Sequence, residues 1–274
     1  MNFFYIILMI LFIILIVYFW IQNHVLKVSR YKIKDKKIPP AFNRYKIIQI
    51  SDFHNSFSKK KHNDIIKIIK EENPDIIVIT GDLIGNTITN YKISLNFVKK
   101  ISTLCQVYYV NGNHEAFDKN YKNLENGLRK IGVKVLRNEF VVLNKNNSKI
   151  NIIGVDDPYF ENIKCKNTKL KEIKINNNYY KILLSHRPEL FKEYCDNKID
   201  LVFTGHAHGG QVILPIIGSL FAPNQGLFPK YTKGLIKNEN TKMIVSRGLC
   251  NSSFPYRFNN KVELVIATLN NEKE

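Results

Sequence analysis

Five short strings hold most of the residues of this chain that are equipped for chemistry: SDFH (Ser51–His54), TGD (Thr80–Asp82), NGNHE (Asn111–Glu115), LSHRP (Leu184–Pro188) and TGHAHGGQ (Thr204–Gln211). Five of the seven histidines lie in them. In an extended segment residues two apart point the same way, so Asp52 with His54, and His206 with His208, can each present two ligands toward one centre. Imidazole, carboxylate and amide donors without sulfur suit manganese, iron or zinc better than calcium or magnesium. Gly81, Gly112, Gly205, Gly209 and Gly210 permit tight turns and let a metal and a phosphate lie against backbone. Taken singly, each string is what a turn or a capped surface residue looks like. Five of them in order along one chain reverse that weighting.

For the five strings to meet, each must sit at the end of a strand. Tyr45–Ser51, Asp75–Thr80, Gln106–Val110, Tyr180–Ser185 and Leu201–Thr204 are short apolar runs that end in them. Helical spacing over His62–Glu72, Ile93–Ile101 and Asn123–Ile131, the last closed by Gly132, separates the first runs as in βαβ units. Ligands in α/β sheets gather beyond the carboxyl ends of the strands, so scattered tips can form one site. Val133–Arg137, Phe140–Asn144, Ile150–Val155, Met243–Ser246 and Val262–Leu269 add further strands, too many for one sheet. The expected fold is therefore α/β, with two mixed sheets packed face to face and helices outside.

The set DxH, GD, GNHE, SH and GHAHGG resembles the calcineurin-like metallophosphoesterases, over Asp52 to Gln211. HGGQVILP (His208–Pro215), VSRGLC (Val245–Cys250) and FPYRF (Phe254–Phe258) look like the membrane-attached bacterial subgroup. Cys250 stands where that likeness leads one to expect glycine, and Asn259 with Asn260 where it leads one to expect a Pro-rich stretch. The resemblance implies the family's four-layer sandwich and two divalent ions. Asp52, His54, Asp82 and His208 would hold the first, and Asp82, Asn113, His186 and His206 the second, with Asp82 shared. Two ions about 3.5 to 4 Å apart activate a water and neutralise phosphoryl oxygens. His114 would then stand beside the leaving oxygen as a general acid. Glu115 either orients His114 or is a helix-start carboxylate. Arg187 and Arg247 either clamp a phosphate or serve in salt bridges.

The N-terminal run Phe3–Ile21 has no charge and no helix breaker, and is close to the length that spans about 30 Å of hydrocarbon. No basic residue precedes it and Tyr18, Phe19 and Trp20 close it, which favours a retained anchor over a cleaved signal peptide. The expected division is an anchor over 1–24, a basic linker over 25–43 and a catalytic domain over 44–274. Lys27, Arg30, Lys32, Lys34, Lys36 and Lys37 all follow the apolar run, which keeps the body in the cytoplasm of a single-pass protein of the cell membrane. Cys105, Cys165, Cys195 and Cys250 form no CxxC pair and are read as free thiols. The net charge of +18 comes from diffuse lysines without interleaved aromatics, so a nucleic-acid groove is not indicated. His24 and His62 are read as interfacial and solvated, Tyr108 and Tyr109 as core, and Phe221 and Phe228 as part of an apolar stretch able to meet lipid.

The expected function is hydrolysis of a phosphomonoester, phosphodiester or pyrophosphate at a membrane surface. The candidate substrate is an amphiphile such as a nucleotide-linked glycolipid, UDP-diacylglucosamine-like, or a phospholipid. A nuclease or protein phosphatase of the same fold, and a non-catalytic scaffold, are the competing readings. The scaffold would require lost ligands, and every expected one is present. Oligomeric state leaves no trace in the sequence.

Overall fold

The computed structural model describes residues 3–55, 59–85, 91–162, 167–251 and 254–272. The uncharged N-terminal run is one helix, α1 (Phe3–His24), with almost all of Phe3–Val17 exposed. Next come β1 (Lys27–Asp35), β2 (Lys46–Ile50), α2 (Lys59–Glu72), β3 (Ile76–Thr80), α3 (Lys92–Ser102), β4 (Gln106–Val110), α4 (Asn113–Phe117), α5 (Tyr121–Lys130) and β5 (Lys134–Val135). The second half runs β6 (Glu139–Lys145), β7 (Ser148–Gly154), β8 (Tyr180–Leu184), α6 (Phe191–Asp196) and β9 (Leu201–Thr204). Two small hairpins follow, β10 (Ile213–Leu214) with β11 (Gly218–Ser219), and β12 (Phe221–Ala222) with β13 (Gly226–Leu227). The chain closes with β14 (Gly234–Asn238), β15 (Thr241–Val245) and β16 (Glu263–Asn271).

Two mixed six-stranded sheets result, ordered β1-β16-β2-β3-β4-β5 and β14-β15-β9-β8-β7-β6. Strands β2 to β5 are parallel, as are β7, β8, β9 and β15. The period-two arrangement is visible in β3, where Ile76 and Val78 face the core between the sheets while Ile77 and Ile79 face the helices. Ile47, Tyr108, Ile152, Ile182, Phe203 and Val265 fill the inter-sheet core. Ile65, Ile69, Phe97, Ile101 and Leu128 cover the first sheet's outer face, and Phe191 and Tyr194 pack on the second. This is the expected four-layer sandwich with an apolar helix ahead of it.

The segment 25–43 is not a linker. Nine of its residues, Lys27–Asp35, form β1, paired in parallel with β16 along its whole length, from Lys27 opposite Glu263 to Asp35 opposite Asn271. Ile33, Ile38 and Phe42 are buried in the inter-sheet core. The folded body thus begins at Lys27 rather than at residue 44. The basic residues misled because they alternate with buried ones: Lys32 and Lys34 flank Ile33, a pattern that protects an edge strand from pairing with other chains. Several of them are also paired, Arg30 with Glu72 and Lys37 with Asp200. His62 is likewise not solvated, being buried against Phe53 and Phe97. Cys105 and Cys195 carry free thiols, whereas Cys165 and the end of the DFHNSF loop at 56–57 lie outside the described residues.

Candidate metal centre

Each ligand candidate follows the carboxyl end of a parallel strand. Asp52 and His54 follow β2, Asp82 follows β3, and Asn113 with His114 opens α4 just after β4. His186 follows β8, and His206 and His208 follow β9. The tips of β2 and β3 are tied directly, Asp52 NH donating to Gly81 O (3.1 Å) and His54 NH to Asp82 O (3.1 Å). Five of these residues sit in the left-handed region: Asp52 (φ 52°), His54 (φ 50°), Asp82 (φ 51°), His206 (φ 64°) and His208 (φ 48°). Such backbone is unfavourable for a side-chain-bearing residue, and its clustering here marks a site that the surrounding fold over-determines. Glycine is required where the tips close on one another. A Cβ at Gly112 would lie 2.2 Å from Asp82 Oδ1, and one at Gly205 1.9 Å from Ser51 Oγ.

The side chains gather in two groups that share Asp82. Asp52, His54, Asp82 and His208 place one ligand atom each within 4.8 Å of one another, and so do Asp82, His186 and His206. His208 Nε2 is 3.3 Å from Asp52 Oδ1, and Asp82 Oδ2 is 4.0 Å from His54 Nε2 and 3.2 Å from His186 Nε2. Asn113 Oδ1 lies 3.1 Å from His186 Nε2, so its amide oxygen belongs to the second group.

The residues fit two ions on two observations. Asp52 Oδ2 and His54 Nε2 are buried and have no hydrogen-bond partner among the described residues, as atoms reserved for a cation would be. Three histidines have Nδ1 held by a backbone carbonyl, which turns Nε2 inward: His54 by Ile84 O (3.0 Å), His186 by Thr80 O (2.8 Å) and His208 by Cys250 O (3.0 Å). His206 is reversed, with Nδ1 toward His186 Nε2 (3.2 Å) and Nε2 between Asn224 Oδ1 (2.7 Å) and the Arg187 guanidinium (2.8 Å).

Protonation agrees with this for His54, His206 and His208, whereas His186 shares a proton with Asp82 that a bound cation would displace. Burial takes His54 down to about 4. Burial, then the neighbouring Arg187 and His54 charges respectively, hold His206 and His208 well below the ordinary histidine value. All three are neutral, as ligands must be. Burial raises Asp52 to about 6. Asp82 is raised by burial, but the charges of His186 and His114 outweigh it and hold the carboxyl well below the usual range. His186 is lowered by burial, yet Asp82 overrides this and takes it to about 10.

His114 lies beside the groups rather than within them, its Nε2 3.6 Å from Asp82 Oδ2 and its NH donating to Asp82 Oδ1 (3.0 Å). Glu115 does not touch the His114 ring. Fully buried, its carboxylate accepts from the NH groups of Gly112 (2.7 Å), Asp82 (2.9 Å), Leu83 (2.8 Å) and Ile84 (3.1 Å), and so sets the backbone on which Asp82 stands. Arg187 is no open phosphate clamp. Its guanidinium is buried, donates to both oxygens of Asp157 (2.5 and 3.0 Å), stacks on Tyr159 and packs against His206. Arg247 faces Glu263 (3.6 Å) and Asn260.

Sequence reasoning missed Asn224 and Asp157, and the part played by Asn260, each remote in sequence from the residue it supports. Asn260 Nδ2 donates to the carbonyls of His208 (2.8 Å) and Gln211 (3.2 Å). A cavity of about 680 Å³ opens from the ligands. Asp82, Asn113, His114, His206 and His208 form its floor, and Phe117, Val212, Leu220, Phe221, Leu227 and Phe254 its walls.

The calcineurin-like phosphoesterase family matches residues 45–210. The chain is 30% identical over 255 residues to the metallophosphoesterase YkuE of Bacillus subtilis (strain 168), covering 91% of this chain and 87% of that one. It is 29% identical over 260 residues to a metallophosphoesterase of Aquifex aeolicus (strain VF5), covering 92% and 95%. With the phosphodiesterase YaeI of Escherichia coli (strain K12) it shares 26% identity over 235 residues, 82% of each chain.

Proposed function

Because the chain belongs to the calcineurin-like phosphoesterase family and is a metal-dependent phosphoester hydrolase, we propose that its substrate is an amphiphilic phosphodiester or pyrophosphate at a membrane surface. The observation that carries the substrate class is the cavity. Its floor is polar and metal-ligating while its walls are aromatic and aliphatic, a division that matches a phosphate head with a hydrocarbon chain attached. A strand of nucleic acid would instead call for basic residues along such walls.

Asp52, His54, Asp82 and His208 would hold one divalent ion, and Asp82, Asn113, His186 and His206 a second, each of manganese, iron or zinc. When bound, the pair supplies Lewis acidity to the phosphoryl oxygens and activation of a water nucleophile. The chain's own residues do the rest. Asp82 is fixed between both groups by Glu115 acting on its backbone, so the spacing of the two sites is set by the protein. His114, on the cavity floor, delivers a proton to the departing alkoxide oxygen. Asn224 and Arg187 hold the His206 ring by its Nε2 side, which turns Nδ1 toward the second group. The apolar walls exclude water from around the scissile bond.

In this proposal α1 crosses the cell membrane once, and the body lies on the cytoplasmic side because the basic residues that follow α1 favour it. The test is metal analysis of the purified full chain in detergent, beside a panel of soluble monoesters, soluble diesters and lipid-linked diesters. Two ions per chain and the highest kcat/KM on lipid-linked diesters are expected. Equal kcat/KM on soluble and lipid-linked diesters would remove the amphiphile.

A further inference from the structure

The rim above the cavity walls is apolar at positions that ordinarily face water. The hairpin of β10 and β11 ends in Ile216 and Ile217, which are 108% and 58% exposed. Ile216 sits at φ 69°, in the left-handed region where a β-branched residue is an outlier and glycine or asparagine the usual occupant. The sequence thus keeps two isoleucines at a strained, projecting turn where solubility and backbone preference both argue against them. Phe221, Leu227, Phe228 and Phe254 are also at least half exposed. These residues are joined rather than scattered. Phe221 pairs with Leu227 across β12 and β13, Phe228 NH donates to Leu220 O (2.9 Å), and Gln211 Nε2 to Phe254 O (3.0 Å). A contiguous exposed apolar patch of this kind marks an interaction surface.

The occupant is indicated by what adjoins the patch. The last turns of α1 dock on the 254–260 segment. Phe19 packs at a tilt against Tyr256 (5.5 Å between centroids) and Tyr18 against Phe258 (5.3 Å), and Tyr18 Oη donates to Asn259 Oδ1 (2.7 Å). Asn259 in turn donates through Nδ2 to Ile213 O (3.2 Å), at the base of the isoleucine-tipped hairpin. The apolar run of α1 gives way at Tyr18, Phe19 and Trp20 to Gln22, Asn23 and His24, the order expected where a helix leaves hydrocarbon for the interface. The patch therefore adjoins α1 at the level where α1 meets the bilayer surface.

We propose that Ile216, Ile217 and Phe228 insert into the leaflet that α1 enters at its C-terminal end. The metal cavity then opens into the bilayer interface, and an amphiphilic phosphoester reaches Asp82 and His114 by lateral diffusion, its chain lying along Phe221, Leu227 and Phe254. The part concerning entry rests on the substrate reading above; the insertion itself rests on α1 and the rim alone.

The experiment uses the full chain in lipid nanodiscs. Trp20 is the only tryptophan, so a Trp20→Phe background carries single reporters Ile216→Trp, Phe228→Trp and, as a control, Tyr179→Trp, which lies at the opposite end of β8 from His186. Lipids brominated at shallow and deep acyl positions serve as quenchers. Insertion predicts several-fold stronger quenching of the first two reporters by the shallow label than of the control. Quenching no greater than the control overturns insertion, as does a reporter shielded from acrylamide yet untouched by bromolipid, which would mean that protein covers the rim. A second arm measures Ile216→Asp with Ile217→Asp. Two bound ions and an unchanged rate on a soluble diester, with at least a tenfold lower rate on a lipid-linked diester in nanodiscs, are expected; an unchanged lipid rate overturns the entry route. Failure of the substrate reading looks different: strong bromolipid quenching in a protein whose kcat/KM on lipid-linked and soluble diesters is equal.

Discussion

Glu115→Gln should unfold the protein more easily before it affects any chemistry. The carboxylate is fully buried and receives four backbone NH groups, Asp82 and Gly112 on Oε2 and Leu83 and Ile84 on Oε1. A glutamine offers one oxygen, so in either orientation one pair of donors must face an NH2 group. Two buried NH groups losing their acceptor cost about 1–3 kcal/mol each, or about 2–6 kcal/mol together. That is a large part of the 5–15 kcal/mol typical of a domain. The lower end is favoured, because burial and the neighbouring Asp82 raise the Glu115 pKa to about 8 and so oppose the ionised form that the glutamine does without. Urea unfolding of the metal-free chain in detergent, followed by far-ultraviolet circular dichroism with a chelator present, measures the difference without contribution from ions. Metal affinity should fall about 10- to 100-fold, as when a support behind a ligand is removed. Stability within about 0.5 kcal/mol of the parent, below the cost of even one orphaned donor, would refute the reasoning. A slowed reaction alone would return Glu115 to the role of orienting His114.

Asp82→Ala removes the carboxylate shared by both groups, so metal analysis should find the site nearly empty and hydrolysis abolished; two ions per chain in an active variant would defeat the assignment. Asn113→Ala should lower occupancy of the second ion more than the first. His114→Asn should retain both metals and slow cleavage on the order of 10²-fold, less for esters with nitrophenol leaving groups, as steady-state rates across leaving groups will tell. A chain beginning at Val25 keeps β1 and should fold and bind metals, whereas one beginning at Pro40 loses the entire β1–β16 ladder and should aggregate, a contrast that gel filtration reads directly.

The parts of the site that were legible in sequence are those fixed by strand direction. A parallel strand puts its tip at one edge of the sheet, so Asp52, Asp82, Asn113, His186 and His206 could be gathered from five strings with no contact known between them. What was illegible supports the site from behind. Asn224 holds the His206 ring, Asp157 holds Arg187, and Glu115 holds four amides, and none of these pairings has a fixed sequence spacing. The smallest elements escape for another reason. Strands β10 to β13 have two residues each and α4 has five, fewer than a period-two or period-3.6 pattern needs to declare itself. Strand β1 was lost to its lysines, whose alternation with Ser29 and Ile33 is the mark of a guarded edge and not of a tether.

The positions where the chain departs from the expected rim take on meaning once α1 is in place. Cys250 contributes its carbonyl, which accepts from His208 Nδ1 and Arg257, a role that the backbone fills whatever the side chain. Asn260 does what a proline could not. Its backbone NH donates to Gln22 Oε1 of α1 (3.0 Å), while its side chain holds the carbonyls of His208 and Gln211. Asn259 repeats the pattern toward Tyr18 and the base of the hairpin, and Asn251 links Asn23 to the same loop. Three asparagines thus join the end of the apolar helix to the loop that carries a metal-ligand candidate. A helix that served only as a leash would need no buried glutamine facing this loop, and Gln22 is buried. The apolar helix and the ligand-bearing loop are therefore in direct contact, from Gln22 Oε1 through Asn260 to the carbonyl of His208.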